Sequence, residues 1–254
     1  MNDVVNALWR GLISQLHPKM LALTLLPLLV VIVVWGSLTM YFWHDWVNGV
    51  TQIVSQTELY SVLAVGWVAW IAGYMITTIL VLLLLPVVLV TILLITSIVA
   101  MPYMVKHVAA RDYPELEMKQ GGTLSGSTWN GLVAVSIYLL LWVITLPLWF
   151  LVLPAPLLSI ALNAYLNQRL FRYDALADHA SAEEMQQVIE QATSKLYGLG
   201  AALAPLQFIP GLNLFTPVYV GLAFIHLCLA ELAKSRAEKL AASGSVATAH
   251  VTAQ

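Results

Sequence analysis

From Leu196 to Ala230 the chain carries no Asp, Glu, Lys or Arg, yet the middle of that stretch is punctuated by Pro210, Gly211 and Pro217. An uncharged run of this length belongs in a bilayer. Proline removes a backbone donor and clashes with the preceding helical turn, so one continuous helix does not suit the segment. Its arms are short as well: Leu196–Ile209 would rise about 21 Å and Val218–Ala230 about 20 Å, against a hydrocarbon core of roughly 30 Å. The pattern predicts two short helices meeting at a broken tip, a hairpin that enters the membrane and turns back. Backbone bent at that depth survives where protein or a wet cavity satisfies its polar groups.

The rest of the chain agrees. Of 254 residues 60% are hydrophobic and 9% charged, where a soluble domain carries about 25% charge. The chain therefore reads as an all-α integral membrane protein, one membrane domain over residues 1–240 with a disordered Ala/Ser/Thr-rich tail over 241–254. A net charge of −2 gives no argument for nucleic acid. The single cysteine, Cys228, excludes an internal disulfide. No cleavage site follows the first apolar run, so the first span is expected to be retained. Ser, His and Asp form no local nucleophile motif, and neither an enzyme nor a cofactor is expected.

Near the amino terminus Val4, Val5, Leu8, Trp9, Leu12, Ile13 and Leu16 fall on one stripe, opposite Asn2, Asn6, Arg10 and Ser14. This describes an amphipathic helix, lying either in the membrane interface or on the protein's own cytoplasmic face. Two long spans follow, at about 21–43 and 75–105, with Pro27 and Pro86 as candidate kinks and Trp35, Phe42, Trp43 and Trp46 as interfacial aromatics. Residues 129–168, interrupted by Pro147, Pro154 and Pro156, form a second broken stretch. The loop Gly121-Gly122-Thr123-Leu124-Ser125-Gly126-Ser127 lacks the Gly-Lys-Ser/Thr signature and follows no strand, so it reads as a flexible connector, not a phosphate cradle. Ser181-Ala182-Glu183-Glu184 reads as a capping box, opening a helix with Met185, Val188, Ile189, Ala192 and Leu196 on one face. Gly198, Ala202, Ala69 and Gly73 promise close helix packing.

None of the eleven Lys and Arg lies between Met20 and Val105; beyond it they fall at 106–119, 169–195 and 234–239. The positive-inside rule then puts the amino terminus and all three later basic segments in the cytoplasm and residues 44–60 outside. The stretches 129–168 and 196–231 thus begin and end on the same side, and each must be a re-entrant hairpin.

Ile209-Pro210-Gly211-Leu212-Asn213-Leu214-Phe215-Thr216-Pro217-Val218 resembles the Ile-Pro-x-Leu-Asn-Leu-Phe-x-x-Pro-Val signature of the bacterial CysZ sulfate-permease family, which includes the eukaryotic etoposide-induced membrane proteins. Leu26-Pro27-Leu28-Leu29, Pro102-Tyr103 and the connector Tyr173-Asp174-Ala175-Leu176-Ala177-Asp178-His179 are similar to further family motifs. The resemblance implies two long spanning helices with two hemi-penetrating hairpins, homo-oligomers in the bacterial inner membrane, and passage of sulfate toward the cytoplasm for cysteine synthesis. The family's Gly-Leu-Arg sulfate segment aligns with Lys19-Met20-Leu21, so Leu21 stands at the arginine position and Lys19 supplies the nearby charge.

Candidate anion-binding and translocation residues follow. At the hairpin tip Gly211, Asn213 and Thr216 are candidates, because Thr216-Pro217 places an N-cap and an N1 proline at the start of the last arm, where free N–H groups attract anions; the plainer role is to cap the helix and close the turn. Ala155-Pro156 repeats the arrangement in the first hairpin. His226, alone among ionisable side chains deep in an apolar run, either gates or couples protons or is a neutral hydrogen-bonding residue between helices. Lys106 and Arg111, with His107 and Asp112, either line a cytoplasmic vestibule or anchor the second span. Asp174, Asp178 and His179 have metal-compatible spacing but equally suit a solvated connector. Two function classes remain: a permease or channel for a small inorganic anion of the sulfate type or another small solute, and a non-conducting scaffold or lipid-organising protein.

Overall fold

The computed structural model describes residues 2–57, 66–150, 154–209 and 211–251. Pro210, one of the tip prolines, lies outside them. Every regular element is helical. In chain order these are α1 (Asn2–Gln15), α2 (Pro18–Ser55), α3 (Gly66–Ile95), a π-helical turn (Thr96–Ala100), α4 (Met101–Asp112), α5 (Leu124–Ile144), α6 (Pro154–Leu176), α7 (Ala182–Gln191), α8 (Thr193–Leu203) and α9 (Thr216–Val251), with 3-10 turns at Leu146–Phe150, Ala204–Phe208 and Leu212–Leu214. Four helical stretches are long and apolar enough to cross a membrane: Pro18–Ser55, Gly73–Asp112, Leu124–Ile144 and Thr216–Ala242. The first two are the expected spans, and both extend well past the residues the hydropathy marks. α9 continues to Val251 through the tail expected to be disordered, in a stretch rich in alanine, the strongest helix former.

The chain divides into two compact units, residues 26–93 and residues 1–25 with 94–254. In the first, α2 and α3 touch where Trp35 Nε1 donates to Thr91 Oγ1 at 3.2 Å. Val31, Leu80, Val90 and Leu93 are buried, while Leu29, Ile32, Val33 and Leu85 face outward. Burying one such side chain is worth about 1.5–3 kcal/mol, so an outward apolar surface of this extent is suited to lipid.

The second unit is a bundle centred on α6 and α9. Phe171 and Phe224 meet at its core, their ring centroids 6.1 Å apart, with Met101, Met104, Leu199, Leu203, Leu222 and Ile225 fully buried around them. α5 and α8 pack on α6, and α1 packs on α9. Of the two readings of the α1 stripe, its docking suits the interfacial one. Its small and polar face, Ala7, Gly11, Ser14 and Gln15, is buried, and the apolar stripe points outward, with Trp9 61% exposed. Small residues let the backbones approach: a Cβ on Gly11 would lie 3.1 Å from the Ala223 backbone.

The glycines expected to pack closely do not. Gly73 and Gly198 have open space where a Cβ would stand, and Ala202 is exposed. Close approach occurs instead at Gly200, where a Cβ would meet the Ala164 carbonyl oxygen at 2.9 Å. Nor is the glycine loop a loose connector. Gln120, Gly121 and Gly122 donate their amides to the carbonyls of Asp178, Ala180 and Ala177, so those N–H groups are already used. A Cβ on Gly121 or Gly122 would fall 2.4 Å from the 177–182 segment.

The capping box forms at Ser181 and Glu184. Glu184 also pairs with Arg236 and with Lys119, both at 2.8 Å, and Arg236 donates onward to the carbonyls of Glu117 and His179. Lys195 joins Asp3 of α1 to Glu231 of α9, and these two acids push its ammonium pKa up.

Gly200→Ala is expected to lower stability by about 1–3 kcal/mol through overpacking against Ala164. Gly198→Ala, in open space on the same helix, is expected to raise it by roughly 0.5–1 kcal/mol. Thermal unfolding of the detergent-purified variants tests the contrast, and equal effects would contradict the packing described. Arg236, then burial working against it, then Lys119 set the Glu184 carboxyl, which is held down at about 2 against an ordinary 4.5. The stabilisation is complete above pH 4.5 and is lost as pH falls from 4.5 toward 2. Glu184→Gln should cost up to about 3 kcal/mol at neutral pH and flatten the acid limb of the melting-temperature profile over that window.

Candidate functional site

The interior of the bundle holds polar side chains where hydropathy shows only an apolar arm. α6 buries Ser159, Asn163 and Asn167 on one face and Gln168 on another. The Asn163 side-chain amide donates to the Ser159 carbonyl at 2.8 Å, whereas Asn167 Oδ1 and Gln168 Oε1 are buried without a partner. The sequence does carry a sign of this row, the repeat Ser159-x-x-x-Asn163-x-x-x-Asn167, one helical interval apart. Sequence reasoning passed over it because none of the three is charged.

At one end of the bundle lies a basic cluster. His17, in the turn between α1 and α2, accepts from the Lys19 backbone amide at 3.3 Å, and its ring lies 4.7 Å from that of His107 on α4. His107 Nε2 is buried and unpartnered. Lys19, Lys106 and Arg111 are exposed, and Arg111 makes only a long contact of 4.0 Å with Asp112. The structure thus gathers Lys19 with His107, and the addition that sequence reasoning missed is His17. Proline at the head of α2 hides it by making His17 look like a linker residue.

His226, 2% exposed, sits in a joint between α1, α4 and α9. Ser14 Oγ lies 2.9 Å from its Nε2, Asp112 Oδ2 approaches the same nitrogen at 4.0 Å, and the Tyr113 hydroxyl donates to the His226 carbonyl at 3.1 Å. Serine and carboxylate share one ring nitrogen, and Nδ1 has no partner. A nucleophile relay needs them on opposite nitrogens, so this geometry suits a structural hydrogen bond between helices.

The tip is apolar and outward-facing. Phe208, Ile209, Leu212 and Phe215 are exposed, with Asn213 exposed among them. Gly211 has φ +85°, a backbone that favours glycine. The Thr216 hydroxyl donates back to the Leu212 carbonyl at 3.0 Å, which closes the turn. Gly211 and Asn213 are thus exposed and not enclosed as the α6 row is. Asp174, Asp178 and His179 do not converge. Both oxygens of Asp174 accept from serines, Ser97 in the π turn and Ser127 at the start of α5, while Asp178 is exposed. Burial pushes the Asp174 carboxyl up and the two serines pull it back. Among the described residues no three His, Cys, Asp or Glu are grouped to hold a metal ion.

Residues 7–217 match the family described as sulfate transporter CysZ/etoposide-induced protein 2.4. The chain belongs to this family. No curated protein and no solved structure matches it. Membership and the four long apolar helices together make it a membrane protein of the sulfate-transporter type, and the family is one of transporters, not enzymes.

The His226 joint predicts a coupled pair. Ser14→Ala and His226→Leu should each destabilise by about 1–3 kcal/mol, and the double variant should fall short of their sum by about 0.5 kcal/mol or more. A thermal-unfolding double-mutant cycle measures this, and strict additivity would remove the joint.

Proposed function

We propose that this CysZ-family chain is a sulfate-type anion permease mediating uptake through a bacterial inner membrane toward the cytoplasm. In this reading both termini are cytoplasmic, residues 129–168 and 196–231 are re-entrant hairpins, and the protein works as a homo-oligomer whose subunits cover one another's apolar tips. The observation that carries the proposal is the buried polar row of α6. An unpartnered buried polar atom costs about 1–3 kcal/mol, and Asn167 Oδ1 and Gln168 Oε1, both acceptors, are two such atoms. A scaffold has no use for that cost, whereas a passing oxyanion needs donors that replace its hydration shell, and each of these amides supplies them when its nitrogen end turns to the place of its free oxygen. Amide and hydroxyl groups meet that need while binding weakly enough to release the ion. His17, Lys19, Lys106, His107 and Arg111 then form the basic cytoplasmic mouth, Lys19 supplying charge beside Leu21.

Radiolabelled sulfate uptake into proteoliposomes tests this. Saturable uptake should fall to the empty-liposome level in Asn163→Leu/Asn167→Leu and several-fold in Lys19→Ala, with each variant monodisperse in detergent. Wild-type uptake no faster than in empty liposomes would overturn the sulfate reading, and unchanged uptake in the double variant would remove the α6 path.

A further inference from the structure

Arg169 and Arg172 stand three residues apart on α6, and both are half-buried. Every acidic side chain that forms an ion pair among the described residues does so with another cation: Glu184 with Arg236 and Lys119, Asp3 and Glu231 with Lys195, and Asp112 with Arg111 and His226. Neither arginine has a carboxylate. Arg169 Nε is buried without a partner, and so is the hydroxyl of Tyr165, one turn below on the same helix. Tyr197 of α8, 40% exposed, flanks Arg172 together with Tyr165, while burial and the neighbouring Arg169 both act against the Arg172 charge. The Asn130 side chain on α5 donates to the Arg169 carbonyl at 2.7 Å and fixes the helix backbone at that level.

Two cations pressed together beside two phenols, all short of partners, form a receptor for an anion with several acceptor oxygens. What lies below them narrows the class. Toward the hairpin tip α6 presents Pro156, Leu157 and Ala161 outward, Leu157 70% exposed. An apolar track leading to a paired-arginine head fits an amphiphile whose tail lies on the helix and whose phosphate sits at its basic end. We infer that Arg169, Arg172, Tyr165 and Tyr197 bind the phosphate headgroup of an anionic phospholipid on the outer face of the bundle. This site is separate from the interior row of α6, and its occupation requires no transport.

The test is the lipid dependence of thermal stability in detergent, read with phosphatidylglycerol, with phosphatidylcholine, and with inorganic phosphate or sulfate alone. Phosphatidylglycerol should raise the wild-type melting temperature more than phosphatidylcholine. In Arg169→Gln/Arg172→Gln its half-saturating concentration should rise about tenfold or more, the value in phosphatidylcholine being unchanged. Tyr197→Phe, which removes one half-exposed hydroxyl, should fold normally and weaken the phosphatidylglycerol response alone. An equal response to both lipids, or one that survives the arginine substitutions, would overturn the site. A shift given by free phosphate or sulfate, lost in the same variant and not enlarged by phosphatidylglycerol, would overturn the lipid assignment.

Discussion

Polar side chains carried through an apolar environment have to be enclosed by protein, and α6 imposes that requirement on the rest of the bundle. Its segment from Leu162 to Phe171 is buried on most sides, by α5, α8 and α9. The cost of holding Asn163, Asn167 and Gln168 there rises if any neighbour withdraws and leaves the amides facing hydrocarbon. Two close approaches fall where this enclosure is made. Gly200 brings α8 onto Ala164, one helical turn from both Asn167 and Gln168, and Gly221 brings α9 onto Met104.

Enclosure alone does not set register along the helices, because apolar packing slides. Register is held at the polar ends. Glu184 caps its own helix and at the same time receives Arg236 from α9 and Lys119 from the loop before α5. Lys195 ties α8 to both α1 and α9. Gln120, Gly121 and Gly122 add three backbone hydrogen bonds to the 177–182 segment, and at the two glycines any side chain would collide. Asp174 links this region to the π turn through Ser97. A widened helical turn that presents one hydroxyl to a buried carboxylate is the kind of local departure from α geometry that tertiary demands impose.

Features governed by local chemistry were legible in the sequence: the uncharged runs that become long helices, the capping box at Ser181, and the start of the last helix at Thr216-Pro217. Family membership was legible too, because its motif at 209–218 is contiguous. Features that depend on what packs against what were not. The stripe of α1 left open whether its apolar face meets the membrane interface or the protein; the face that docks is the small one with Ser14, where backbones can approach. Gly198 and Gly200 are two residues apart on one helix and look alike in the sequence, but they point to different sides, and Gly200 alone meets a neighbour. The amides of α6 were visible, and their burial was not.

The placement of charge against polarity gives the interior its character. Within the α6 row there is no fixed cation, while the unpaired arginines are half-buried and the lysines and histidines of the basic cluster stand at one end. A unit charge about 4 Å from a lysine at an effective dielectric of 20 is held by about 4 kcal/mol, and a dianion by about twice that. Such a grip in the middle of a path would trap sulfate. In the proposed permease, uncharged amides and hydroxyls one helical turn apart, as Ser159, Asn163 and Asn167 are, would offer successive sites of modest strength once Asn163 releases its bonds to Ser159. Cations are then useful only where capture matters, at the ends. Under the permease proposal, an interior built from amides and hydroxyls, with its cations kept to the rim, would let an anion both enter and leave.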